Sequence, residues 1–178
     1  VRMVVASPDP AEKDTLFALT QGGIEKSTDG GANWFTIASP DCCLSDLALS
    51  PAYASDQTVF VTANTGRVYS STDGGSSWTG VDALRGDPRH LAFSPDYPTD
   101  QTVCHGGGWN DWIYCSTDGG ATWTQTDTGL PGWFGDAGTG ILFSPDYSSD
   151  ATMFIASVAG VARSETGASD KRSESRYE

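Results

Sequence analysis

The stretch "STDGGATW" (residues 116–123) has two near-copies in the same chain, "STDGGANW" at 27–34 and "STDGGSSW" at 71–78. The copies start 44 and 45 residues apart. Serine, aspartate and paired glycines suit a tight turn, because a carboxylate accepts from turn amides and glycine takes backbone angles closed to other residues. A second motif runs in step with the first. "SPDPAEKDTLF" (7–17), "SPAYASDQTVF" (50–60), "SPDYPTDQTVC" (94–104) and "SPDYSSDATMF" (144–154) align without gaps at spacings of 43, 44 and 50 residues. Four copies at such a period define a repeat architecture, and that periodicity outranks any local reading of secondary structure.

Each unit follows one order. A short apolar strand ("MVVA", "LAL", "LAF", "ILF") reads as an innermost strand buried on both faces. A Ser-Pro-led turn ending in Asp14, Asp56, Asp100 or Asp150 follows. Those aspartates read as turn caps rather than calcium ligands, since they lack the dense alternating oxygens of a calcium loop. Then come a Thr-led strand, a Gly-containing hairpin, a third strand ending in the serine of the repeated turn, and a Trp-bearing fourth strand. Gly, Pro or Asp-Gly interrupts almost every window a helix would need. Four antiparallel strands per unit of about 45 residues predict an all-β fold, a β-propeller of four-stranded blades.

The Ser-x-Asp-x-Gly-x-x-Trp pattern resembles the Asp-box, or BNR repeat, of a propeller superfamily that includes sialidase-like, sortilin-type and photosystem-assembly-factor propellers. The resemblance covers residues 1–167, with blades expected at about 1–38, 44–82, 88–127 and 138–167. It implies a structural box built from Ser27, Asp29, Gly31 and Trp34, from Ser71, Asp73, Gly75 and Trp78, and from Ser116, Asp118, Gly120 and Trp123. The boxes read as hinges, with each Trp packing on apolar neighbours. The fourth unit keeps Ser164 and Gly167 but lacks the Asp and Trp, so its blade is expected to be incomplete. Residues 168–178 form a polar tail, expected to be disordered or donated to another chain. The expected working molecule is a four-bladed ring, part of a larger propeller, or an assembly of several chains. The chain begins at Val1, as a mature chain or an excised fragment would.

Charge narrows the partners. The sequence carries 23 acidic residues against 10 basic ones, a net charge of −13. Such a surface repels phosphate backbones and anionic lipid, so neither a nucleic-acid partner nor membrane insertion is expected. Of the four cysteines, Cys104 and Cys115 fall opposite one another when the hairpin is counted back from its tip, as a disulfide requires. Two buried thiols are the other reading. Cys42 and Cys43 are adjacent and could close a strained ring, bond to other chains or stay free. No metal or cofactor is expected, because no ligand spacing is met. An extracellular or cell-surface location fits the cysteines.

In the resembled family, function lies on the face opposite the boxes. There the third hairpin holds His105, Trp109, Asn110, Asp111 and Trp112, and the linker after it holds Trp133, Phe134 and Asp136. Aromatics beside carboxylates and amides form a candidate sugar-binding platform. They also suit a cap or a subunit contact. Xyloglucan-type hydrolysis needs two facing carboxylates, for which Asp111 and Asp136 are the candidates, with Asp46 or Asp82 as competitors. No Arg-Ile-Pro setting of the sialidases occurs, and Glu12 and Glu25 are the sole glutamates of residues 1–162. The sequence thus favours a non-catalytic propeller serving as an interaction or self-assembly module with protein partners. A carbohydrate-binding or glycoside-hydrolase propeller is the alternative.

Overall fold

The computed structural model describes residues 2–81, 88–107, 113–126, 140–157, 160–165 and 167. They form four antiparallel sheets, each built from consecutive strands. Blade 1 contains β1 (Met3–Ala6), β2 (Leu16–Thr20), β3 (Gly23–Ser27) and β4 (Phe35–Ile37). Blade 2 contains β5 (Leu44–Leu49), β6 (Val59–Ala63), β7 (Arg67–Ser71) and β8 (Thr79–Val81). Blade 3 contains β9 (His90–Phe93), β10 (Val103–Gly106), β11 (Ile113–Ser116) and β12 (Thr124–Thr126). Blade 4 has three strands among the described residues, β13 (Gly140–Phe143), β14 (Met153–Ser157) and β15 (Gly160–Ser164). The inner strands neighbour one another in the order β1, β5, β9, β13, so the chain is a partial β-propeller.

Local chemistry sets the corner between the first two strands of each blade. In blade 2, Asp56 accepts from the Thr58 amide at 2.8 Å and from the Ser50 hydroxyl, while Ser50 Oγ accepts from the Ala52 amide. Blades 3 and 4 repeat this with Ser94, Asp100 and Thr102 and with Ser144, Asp150 and Thr152. The expected turn is here a one-turn helix: α1 (Tyr53–Asp56), α2 (Tyr97–Asp100) and α3 (Tyr147–Asp150). Each ends at a left-handed residue, Gln57, Gln101 or Ala151. Asp14 makes no such cap in blade 1. There a 3-10 turn (Pro10–Glu12) takes over, with Asp9 accepting from the Ala11 amide and Glu12 from the Thr15 hydroxyl.

The core lies between blades. Alternation along a strand sends odd and even positions to opposite neighbours. Phe17, Leu19 and Ile24 of blade 1 meet Leu47, Leu49, Val59 and Val61 of blade 2. Phe60 and Val68 on the other side of blade 2 meet Val103, Leu91 and Phe93 of blade 3. Cys104, Ile113 and Cys115 then meet Phe143, Met153 and Ile155 of blade 4. The inner strands depart from the expectation of burial on both faces. β5 is largely buried, β9 is only partly so although it too lies between two blades, and β1 and β13 each turn one face outward, leaving Val4 and Leu142 exposed.

Candidate functional site

The repeated turns share one hydrogen-bond pattern. In the second, Ser71 Oγ donates to Asp73 Oδ1 at 2.7 Å and accepts from the Gly75 amide at 2.8 Å. Asp73 also accepts from the Ser77 amide and hydroxyl. The first and third copies do the same through Ser27, Asp29 and Asn33 and through Ser116, Asp118 and Thr122. These donors hold the Asp29 and Asp73 carboxyls down at about 2, the residue four places on contributing most. Asp118 is lowered for the same reason. Both carboxylate oxygens of each of these aspartates thus accept hydrogen bonds from within their own turn.

Gly31, Gly75 and Gly120 all sit at φ +90°, a region that favours glycine. Two of them also receive a neighbour. A Cβ at Gly120 would lie 2.6 Å from the Phe60 ring, and one at Gly75 would lie 2.5 Å from Ile37 and 3.6 Å from Phe17. The box tryptophans face the same way. Trp123 lies edge-on to Phe60 with centroids 6.3 Å apart, and the Trp78 indole N–H donates to the Ala38 carbonyl of the preceding unit at 2.8 Å. Blade 3 thus takes the Phe60 ring of its predecessor against both Gly120 and Trp123, whereas blade 2 takes Ile37 closest to Gly75 with Phe17 at ordinary contact distance.

At the two ends of the arc this arrangement is open. The three atoms nearest a Cβ at Gly31 belong to Leu16 and Trp34 of its own blade, and Trp34 is 37 % exposed. Val4 of β1 is 53 % exposed. On the far side of blade 4, Phe154 occupies the repeat position of Phe17 and Phe60 yet is 36 % exposed, against 1 % or less for the other two. Leu142 and Val161 flank it at 67 and 65 %. The alignment of Phe154 with two core rings was the sequence signal for this face.

Cys104 and Cys115 pair across β10 and β11 and are disulfide-bonded. Cys42 and Cys43 are free thiols with sulfurs 2.8 Å apart. Asp41 accepts from both of their amides and, through Oδ2, from the hydroxyls of Thr65 and Tyr69. The Cys42 thiol is pushed up to about 11, first by its hydrogen bond to Cys43 and then by Asp41. Among the described residues these three form the one cluster whose ligand atoms all lie within 4.8 Å of one another.

Of the expected platform, only His105 lies within the described residues. Its ring is buried, stacked on Tyr114 and tilted against Trp123, with neither nitrogen hydrogen-bonded. Burial holds its pKa down at about 3. Trp109, Asn110, Asp111, Trp112, Trp133, Phe134, Asp136 and Asp82 lie outside the described residues. Asp46 lines a groove of about 410 Å³ along β1, β5 and β9, together with His90 and Leu91. Its oxygens accept from the Leu47 and Leu91 amides, the second bond tying blade 2 to blade 3. Burial raises its pKa, partly offset by these amides and by His90.

No family model matches the chain, and no curated protein matches its sequence. Its structure is similar to that of an ancestral GH74 enzyme, with TM-score 0.74 and 22 % identity, over 94 % of this chain and 23 % of the other. It is also similar to an auxiliary nutrient binding protein from Bacteroides thetaiotaomicron (TM-score 0.66, 15 % identity, 99 % of this chain and 40 % of that one). A chain of a nidogen/laminin complex matches with TM-score 0.63 and 16 % identity, over 86 % of this chain and 57 % of that one. The fold is that of a β-propeller. This chain spans about a quarter to three-fifths of the length of these structures.

Proposed function

We propose that this chain is a non-catalytic interaction and assembly module of the Asp-box type, working outside the cell or at its surface. One observation carries the reading: both ends of the arc expose the apolar positions that bury themselves wherever two blades meet. Phe154 and Val161 at one end and Val4 at the other stand in register with residues buried at the internal joints, namely Phe17 and Phe60, Ile24 and Val68, and Leu47, while Leu142 pairs with Phe154 on the same open face. Exposed apolar faces of this kind mark protein contacts. The disulfide supports an oxidising location. Sedimentation velocity over a hundredfold range of concentration tests the reading. A mass rising above 18.7 kDa is expected, and a monomer throughout would overturn it.

A carbohydrate-binding propeller is the second reading. It is supported by the fold likeness to the GH74 enzyme and the nutrient binding protein. It would place sugar stacking on Trp109, Trp112, Trp133 and Phe134 and polar recognition on Asn110, Asp111 and Asp136. Neutral and sialylated oligosaccharides added to the chain would shift tryptophan fluorescence on this reading. An unchanged spectrum at millimolar sugar would remove it.

A further inference from the structure

We propose that a second copy of this chain covers the open face of blade 4, and that it docks there through its own blade 1 as blade 2 docks on blade 1. This rests on the assembly reading above and specifies the joint.

The fold contains its own template. At the joints of blades 1 and 2 and of blades 2 and 3, the earlier blade supplies a phenylalanine and the later one a glycine. Phe60 lies 2.6 Å from where a Cβ at Gly120 would be, and at Gly75 the Phe17 ring lies at 3.6 Å with Ile37 of the same blade closer at 2.5 Å. The third joint breaks both halves of the rule together. Cys104 replaces the ring, and the sequence position aligned with Gly120 is Ala168. Ring and glycine therefore occur together or not at all within the chain. The two ends fit each other under this rule, for blade 4 ends in a ring, Phe154, and blade 1 begins with a glycine, Gly31.

Charge follows the same register. Lys26 pairs with Phe35 on one side and Phe17 on the other, and its ammonium donates to the Tyr53 hydroxyl and the Gly74 carbonyl of blade 2. Burial lowers the pKa of this ammonium, and Glu12 and then Asp73 partly offset that. Arg163 stands at the equivalent position opposite Phe154, in an exposed ion pair with Glu165. On the second copy, Gly30 and Asp29 would stand where Gly74 and Asp73 stand in the internal joint. Val161 and Leu142 complete the apolar layer against Val4 of the second copy. The contact is heterologous, so it propagates head to tail and closes only if the rotation permits.

The test uses two variants of the whole chain, each blocking one face. Phe154→Glu buries a charge in the joint from the blade 4 side, and Val4→Glu does so from the blade 1 side. Both positions are solvent-exposed in the single chain, and an intact disulfide with wild-type circular dichroism reports folding. Leu142→Glu replaces Phe154→Glu if that variant misfolds. Each variant alone is expected to be monomeric, while an equimolar mixture forms a one-to-one dimer through the single unblocked pair of faces. A mixture that stays monomeric overturns the joint, as does self-association of Phe154→Glu alone at the wild-type level. In the second case the assembly reading survives, because the wild-type chain still associates. A wild-type chain that is monomeric at all concentrations overturns both.

Discussion

The joint between blades 2 and 3 and the joint between blades 3 and 4 use one register position for different chemistry. At the first, Phe60 crosses the gap, edge-on to Phe93 at 5.4 Å and to Trp123 at 6.3 Å, above a glycine that leaves it room. At the second, Cys104 turns back on its own hairpin to Cys115, and blade 4 supplies Phe143, Met153 and Ile155 to cover the pair. The first joint is held by an interlocking ring. In the second, the disulfide stiffens one blade and leaves a small, even surface for the next to lie on. A repeat fold can thus change how two blades meet without changing the strand order.

Truncating the interlocking ring should give the largest effect. Phe60→Ala removes a fully buried ring and should cost about 3–5 kcal/mol in denaturant unfolding. Gly120→Ala places a Cβ 2.6 Å from that ring and should cost about 1–3 kcal/mol by overpacking, with added strain at φ +90°. The double variant should cost less than the sum, because the smaller side chain makes room for the methyl. Additive losses would mean that the ring and the glycine are not coupled.

Removing the disulfide should come next. Cys104→Ala with Cys115→Ala opens a loop with a sequence separation of 11. The loss should be roughly 3 kcal/mol by loop-closure entropy, read as a lower unfolding midpoint under non-reducing conditions. Exposure of Phe60 to solvent labels should not change, since its joint lies on the other face of blade 3. Labelling of Phe60 rising with that of Phe143 would show that the two joints are one cooperative unit.

His105 gives a smaller effect of opposite sign. It stands where blade 2 has Val61, and its two ring nitrogens lack partners. His105→Phe keeps the aromatic packing, removes the buried polar atoms and should stabilise the protein by about 1–2 kcal/mol at neutral pH. The pH dependence follows from its depressed pKa of about 3 against about 6.5 in the unfolded chain. Between those values the unfolded state binds the extra proton, so stability is full above about 6.5 and falls as pH drops toward 3. In the variant that slope should flatten. An unchanged pH profile would count against a neutral, buried imidazole. The box aspartates act later and more weakly, their contribution being lost only as pH falls from 3.8 through about 2. Asp73→Asn keeps an acceptor for the Ser77 amide on an exposed turn and should alter the unfolding midpoint least of these variants at pH 7.

Much of the fold was legible because the repeat lets one blade interpret another. Strand order, the incomplete fourth blade and the opposition of Cys104 to Cys115 follow from aligned turns and hairpin counting, and the register agrees. The one-turn helices were read as turns because Ser50 and Asp56 close a loop through side-chain bonds that leave no helical periodicity. The facing of the rings was harder to see. A strand pattern gives two sides, but which neighbour each side meets depends on blade order around the axis. The Asp41–Cys43 cluster escaped for a similar reason, since Thr65 and Tyr69 reach it from a hairpin more than twenty residues away. Of the site expected on the third hairpin and the following linker, His105 alone falls in the described residues, at an inter-blade position rather than at the surface.

The most direct measurement is hydroxyl-radical footprinting with mass spectrometry on the wild-type chain, from dilute to concentrated solution. Labelling of Leu142, Phe154 and Val161 and of Val4 and Trp34 should fall together as concentration rises, while Phe60 stays protected throughout. Constant labelling of both end faces while the particle mass increases would place the contact elsewhere and contradict the account.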